Sequence, residues 1–398
     1  MRSVVKVGAA GIVALLGAAG ACATADDSGV ESPVADEKLP PSEPTDAGGA
    51  PDAGEHTVDA GPCSDSGLCL VPAPIDTRIN VVSIAGSGPN DVWAVGSSRT
   101  ILHYDGTGWE KTEIPADAGQ VTMRTVWLGG PADVWIADGL FIRHSTGWKG
   151  SATEWTSWMV ATGDSNGLPT TISGTGGRVF IGRQVSRARP AAPFVTCTGM
   201  DGGEPVERAD VTAHIFSQLD QGLTTGVPGV WSVAMTRPDE AWATKFASAR
   251  VARVHREVDP DGGAADAGTS WIVEEHDSHS SKDILGVWGD EHVVWLVGEG
   301  GTLRRMTRER IPARLFDAVP SPATETLRGI HGFHTNDVWA VGDDATVLHW
   351  DGEAWTRLAT PLDAEGAKPR LVSVWGSGPN DVWIGGNGVM MHFERTAP

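Results

Sequence analysis

Leu371–Gly386 reads LVSVWGSGPNDVWIGG, and Val81–Gly96 reads VVSIAGSGPNDVWAVG. The two stretches stand near opposite ends of a 398-residue chain, so the likeness marks a repeat. Further copies fall into line around the second-strand Trp: TVWLGGPADVWIADG from Thr125, GVWGDEHVVWLVGEG from Gly286 and GIHGFHTNDVWAVGD from Gly329. TISGTGGRVFIGR from Thr171 and SVAMTRPDEAWAT from Ser232 are more diverged. The shared aromatic position is Trp93, Trp135, Phe180, Trp242, Trp295, Trp339 and Trp383, with steps of 42, 45, 62, 53, 44 and 44 residues. A period near 44 suits a four-stranded propeller blade rather than a helical solenoid.

Each copy divides into four short strands. In the sixth these are TLRGIHG, DVWAVG, ATVLHWDG and AWTRLAT, separated by Gly, Asp or Asn. In the Gly-Pro-Asn-Asp turn before the second strand, Pro presets φ and the Asp side chain is expected to accept backbone N–H groups. The Trp that follows is placed to fill the space between neighbouring sheets, where it buries on the order of 200 Å². Seventeen Trp against one Tyr fits one job done repeatedly.

The seventh copy ends at MMHFERTAP and lacks a fourth strand, while LCLVPAPI from Leu68 belongs to no copy. The economical reading is closure, with Leu68–Ile75 as the outer strand of the last blade and Pro72 and Pro74 on an edge that tolerates them. The expected fold is all-β: a seven-bladed β-propeller of four-stranded blades closed by an amino-terminal strand and preceded by a disordered tether.

The phrase running from SIAGSGPNDVWAVG to TILHYDGTGW resembles the Trp-rich propeller repeats of secreted bacterial proteins and lipoproteins, distant relatives of the bacterial-neuraminidase and Trp-Asp repeat propellers. The resemblance covers about four fifths of the chain, is strongest in copies one, six and seven, and implies a fold and an exported location. It carries no established activity. The sialidase Asp-box, S-x-D-x-G-x-x-W, is absent.

Residues 1–21 form an export signal, with Arg2 and Lys6 ahead of an apolar run from Val7 to Gly20. Ala19-Gly20-Ala21 before Cys22 resembles a lipobox, implying acylation of Cys22; ordinary cleavage after the A-x-A is the alternative. Residues 22–66 read as an acidic, Pro-, Asp-, Ala- and Gly-rich tether. Ala23–Pro62 holds six Pro and ten Asp or Glu but no aromatic residue, too little apolar surface to offset ordering. A flexible coil of that length spans roughly 35 Å, enough to lift residues 67–398 off a membrane. Cys63 and Cys69 are close enough for a disulfide in an oxidising compartment. Cys197 is left over as a buried thiol.

The net charge of −21 argues against nucleic acid and against an electrostatic grip on anionic lipid, leaving the lipid anchor as the membrane contact. His103, His144, His255, His349 and His392 recur on the third strand. Adjacent blades would hold them about 14 Å apart, too far to share a metal, so they read as structural, bonded to a turn Asp. Glu275, His276 and His279 in EEHDSHSS read as a solvated loop, and DPDGGAADAG from Asp259 as a flexible insertion. Gly163–Gly167 matches G-x-S-x-G without the helix that motif requires. Tyr104 takes the packing position of Trp350.

Trp155 and Trp158 in EWTSW fall outside the repeat and are the candidate ligand-binding residues, an aromatic platform for a sugar. At i and i+3 on one strand they face opposite sides, so one of the pair belongs to the core. No catalytic, metal or cofactor residues are expected. The function expected is a binding or scaffolding module in the cell envelope, anchored to the outer membrane or cell surface, or else secreted. It is a monomer whose propeller rim takes a protein or carbohydrate partner, with the insertions 183–225 and 259–268 as first places to look. The rival is a glycan hydrolase or lyase using the central funnel, which would need clustered acids or an Arg cluster on the inner strands. The first strands offer Arg124, Arg328 and Asp283, scattered among apolar residues, and three or more charged side chains converging in the funnel would reverse the preference. Cys22→Ala should abolish acyl labelling and release the protein from membranes. Unchanged membrane association would rule out the anchor.

Overall fold

The computed structural model describes residues 61–114, 121–138, 141–159, 168–175, 178–184, 198–199, 212–216, 230–238, 240–245, 247–256, 271–363, 366 and 368–395. Residues 22–60 of the tether (Cys22 among them), Cys197, Gly163–Gly167, most of the insertion 183–225 and all of 259–268 lie outside them.

Among the described residues the chain forms seven sheets, numbered in chain order by their inner strands: Val81–Gly88, Thr125–Gly130, Leu168–Thr175, Val230–Arg237, Ile284–Gly289, Leu327–His334 and Leu371–Gly378. Six carry the expected four antiparallel strands, and the second adds a fifth, Thr198–Gly199. The third sheet departs from expectation: it has three described strands, and Thr212–Phe216 pairs parallel to Arg178–Gln184. The long spacing after Phe180 breaks the meander there. Each inner strand neighbours the next, and the seventh neighbours the first. This is a β-propeller built from four-stranded blades.

Hydroxyls stitch the inner strands together. The backbone N–H of Val126 donates to Ser83 Oγ (3.1 Å), that of Ile172 to Thr125 Oγ1 (3.1 Å), and that of Ile84 to Ser373 Oγ (2.8 Å). Ser83, Thr125 and Ser373 hold one repeat position, so the small polar residue there satisfies a buried donor of the neighbouring sheet.

Between sheets, an aromatic residue of one fourth strand meets edge-on the second-strand Trp of the preceding sheet. Trp109 meets Trp383 at 88°, Phe316 meets Trp242 at 89°, and Trp355 meets Trp295 at 88°. Trp155 meets Trp93 at 84°, with ring centroids 5.8 Å apart. The expectation that Trp155 falls outside the repeat is therefore corrected. It lies one step beyond the His144↔Thr156 pair, where Trp109 and Trp355 pair with Tyr104 and Trp350. A longer turn, Thr146–Glu154 in place of Asp105–Gly108, hides the correspondence. Trp148 occupies the added space, 5.7 Å from Trp93 and stacked on His103.

In the seventh sheet the fourth strand is Leu68–Leu70, antiparallel to Val389–Glu394, with Leu68 opposite Phe393. Leu68 is fully buried in the cluster containing Trp339, so an aliphatic residue takes the place that Trp109 and Trp355 hold elsewhere. The strand is shorter than the expected Leu68–Ile75; beyond it Val71, Ala73 and Ile75 pack on the first and seventh sheets. Cys63 and Cys69 are disulfide-bonded across the turn that leads into it.

Removing residues 23–60 should leave the urea midpoint unchanged. Extending the deletion through residue 75 should cost about 3 kcal/mol or more, from a buried Leu and a lost strand ladder. Equal midpoints for the two truncations would show that this strand is not needed.

Candidate functional site

The repeated polar side chains are the first candidates. Asp91 lies at the start of its second strand, and Oδ1 accepts from Trp93 Nε1 (3.0 Å) and bonds His103 Nε2 (2.8 Å). Ser87 Oγ donates to Oδ2. Asp133, Trp135 and His144 repeat the cluster (2.8 and 2.8 Å), as do Asp337, Trp339 and His349 (3.1 and 2.9 Å). In the seventh sheet His392 bonds Asp381 at 2.6 Å and lies flat on Trp383. The turn Asp thus binds chiefly side chains, and at Asp381 also the backbone N–H of the turn residue Ser377, as expected of it. Burial alone would raise the Asp91 and Asp381 carboxyls; bonds from His and Ser outweigh it and hold both below their ordinary range. These His are structural partners of buried Trp, each within its own sheet.

The fourth and fifth sheets vary the cluster, and His255 is not the equivalent residue. Trp242 pairs across the ladder with Arg253, and Trp295 with Arg305, whereas Trp93 pairs with His103. Glu240 replaces the Asp and binds Trp242 Nε1, Arg253 and, from the fifth sheet, Arg308 at 2.5 Å. Burial would raise Glu240, but Thr236 and the two guanidinium groups push it down to about 2. In the fifth sheet Val293 stands where the acid would be, and Arg305 lies over the Trp295 ring at 5.5 Å. Cation and acid change together, as parts of one packing unit should.

EEHDSHSS is strand through Asp277, not loop. Glu275 binds Lys245 and Arg250, and His276 packs edge-on against Trp242. Burial pushes His276 down to about 4. His279 sits in the following turn with φ 55°. Trp155 is half-buried against Trp93, and the side chain of Trp158 lies outside the described residues.

The concave feature is the central channel, a cavity of about 530 Å³ lined by the inner strands of all seven sheets. Its wall has a physical rule. The second residue of the inner-strand repeat is bulged out of the ladder, as the register skips between Val81 and Ser83, Pro169 and Thr171, Val230 and Ser232, Ile284 and Gly286, Leu327 and Gly329, and Leu371 and Ser373. A bulge re-aims one side chain, here into the channel. The six bulged residues are Val82, Thr170, Trp231, Leu285, Arg328 and Val372; Arg124, just ahead of the second sheet's inner strand, holds the same repeat position, and all seven line the cavity. Trp231 is 40% exposed, while the residues just before these positions, such as Val81, Leu327 and Leu371, are fully buried.

Two residues earlier in their copies, Asn80, Thr122 and Arg370 form a second tier. Arg328 grips Asp343 with two bonds (2.6 and 2.8 Å), and Arg370 Nε reaches the same carboxylate at 3.0 Å. The Arg328 bond leads in holding Asp343 below its ordinary range. Among the described residues, Arg124 makes no ion pair. Arg124, Arg328 and Arg370 line the cavity with no Asp or Glu among its described lining residues. Arg124, Arg328 and Asp283 stand out in the sequence as first-strand charges, but Asp283 is not among the described lining residues, Arg370 does not stand out, and Trp231 has no evident place in the repeat. Aligning the copies on the residue after each buried aliphatic would have revealed the ring.

No known protein family matches the chain, and no curated protein matches it. Solved structures do. YCF48 bound to D1 peptide superposes with a TM-score of 0.57 at 14% identity, over 85% of this chain and 96% of that one. The chain is similar in fold to propellers. Virginiamycin B lyase from Staphylococcus aureus, in an inactive form with Quinupristin, gives 0.57 at 13% identity, over 83% and 99%. The extracellular domain of BT4673 from B. thetaiotaomicron gives 0.53 at 11%, over 81% of this chain and 39% of that one. Among the described residues no helix is long and apolar enough to cross a membrane.

Proposed function

We propose that this chain is an exported protein, lipid-anchored at Cys22 in the cell envelope. Its closed ring of seven blades works as a binding or scaffolding module that takes its ligand at the mouth of the central channel. One observation carries the reading. At the positions the fold requires, most copies agree on a buried aliphatic, a small residue, an acid and a Trp, with exceptions in the third copy (Phe180) and the fifth (Val293). At the channel-lining position they read Val, Arg, Thr, Trp, Leu, Arg and Val. Packing does not choose those residues, so recognition is free to do so. Fold neighbours with a peptide and with Quinupristin support a ligand-holding role.

Three charged side chains do line the funnel, the condition that would favour a hydrolase or lyase. All three are guanidinium groups, which bind anions but take no proton near neutral pH. His331, deeper in the channel wall, is pushed down to about 4 by burial and is a weak base there. The geometry therefore favours binding.

A photo-crosslinking side chain at Thr122 in the channel wall should capture a partner in envelope preparations, identified by mass spectrometry. The same group at Thr356, on an outer strand, should not. Adducts from Thr356 alone would place the interaction on the outer rim and contradict the reading.

A further inference from the structure

We infer that the channel mouth is a carboxylate site for an acidic peptide, an inference that rests on the channel being where the ligand binds. The first argument is charge segregation. The chain carries −21 overall, yet the described lining of the channel holds three Arg and no Asp or Glu. Asp343 cancels one of the three positive charges, because Arg328 and Arg370 share it. Two net positive charges remain, one of them on Arg124, which no described acid neutralises.

Screening decides which charges a ligand feels. At physiological salt the Debye length is about 8 Å, so acids on the outer face act weakly on a group inside the channel. A cleft of one sign with low-dielectric walls also concentrates its field on the ligand.

The second argument is arrangement. Arg328, Arg370 and Arg124 come from the sixth, seventh and second sheets, with Asn80 of the first between them. This makes a polar arc over four consecutive sheets. Across from it, the fourth and fifth sheets present Trp231 and Leu285. Two guanidinium forks on one side match a carboxylate in shape as well as charge. The exposed indole opposite suits an apolar side chain next to that carboxylate.

The third argument chooses peptide over acidic sugar. A saccharide needs acceptors for its many hydroxyls, usually carboxylates or amides. Among its described lining residues this wall offers no carboxylate and one amide, Asn80, whose unpartnered Oδ1 suits a single peptide N–H, and the oxygens of Ser83, Thr125 and Ser373 already accept the backbone N–H of the neighbouring sheet. An acidic peptide with apolar residues needs only the cations and the indole.

The test uses the full mature chain and a fluorescein-labelled pentapeptide of glutamate and leucine, read by fluorescence anisotropy. Three companion probes are its carboxyl-terminally amidated form, its glutamine analogue, and trigalacturonate as competitor. The pentapeptide should bind saturably and the glutamine analogue at least tenfold more weakly. Loss on amidation instead would assign the carboxylate to the chain terminus, still within the inference. Arg124→Gln and Arg370→Gln should each weaken binding about tenfold, the scale of one charge-assisted bond. Arg124→Lys should fall between, and Arg357→Gln, on an outer strand, should match the parent.

Unchanged melting curves will show that the variants are folded. Equal affinity in the parent and both Gln variants, no saturable binding of any acidic peptide, or preference for trigalacturonate would overturn the inference. If Thr122 still crosslinks a partner in that case, the ligand class is wrong and the channel reading stands. If Thr122 crosslinks nothing, both fail together.

Discussion

The structure depends on a tryptophan held from two sides between neighbouring sheets. In the first, second, fourth and sixth sheets the indole N–H donates to an acid two residues earlier, and a His or Arg lies against the ring in the first, second, fifth, sixth and seventh. From the next sheet, an aromatic residue or a leucine presses edge-on against its face. A buried indole without a bonded N–H would forfeit about 1–3 kcal/mol, and an ionised Asp between two sheets would be costly without donors. The two needs cancel in one cluster. Repeated around the ring, that cluster sets the spacing between sheets and makes the Trp count so high. It also explains why the fifth sheet, lacking the acid at Val293, covers its Trp295 with Arg305 instead.

Much of this is legible in the residues. The Asp-Val-Trp signature at Asp91, Asp337 and Asp381 locates second strands, and the orphan LCLVPAPI holds the strand Leu68–Leu70 that pairs with Val389–Glu394. The His positions read correctly as structural where spacing is regular. Where insertions intervene, spacing misleads: Trp155 looks like an extra because the turn before it is longer, and His255 looks equivalent although Arg253 fills the His position. The third copy, with Phe180 in place of Trp and the longest gap after it, loses the four-strand pattern among its described strands. Such errors share a cause: ladder register, which pairs residues across strands, is not written in linear spacing once turn lengths vary.

The channel is less legible still. A bulge moves one residue out of alternation, so a side chain expected to face a neighbouring sheet faces the axis instead. Arg124, Arg328 and Trp231 therefore look like scattered exceptions along the chain and become one ring only when the inner strands are set side by side. The division of labour that results is physical. Buried aliphatics and stitched hydroxyls on either side fix the backbone, and the bulged residue between them varies without cost to packing. A repeat built this way can keep its scaffold constant while its axis takes on the chemistry of a ligand.

The central claim is that acid and indole act as one unit in the four sheets where they are bonded. A double-mutant cycle on Asp337→Ala and Trp339→Phe, followed by urea unfolding, measures this directly. The two single changes should together cost more than the double by about 1 kcal/mol or more, since either one breaks the shared bond. Costs that add to within about 0.3 kcal/mol would mean that the tryptophans are held by shape alone, contradicting the claim that acid and indole form one unit.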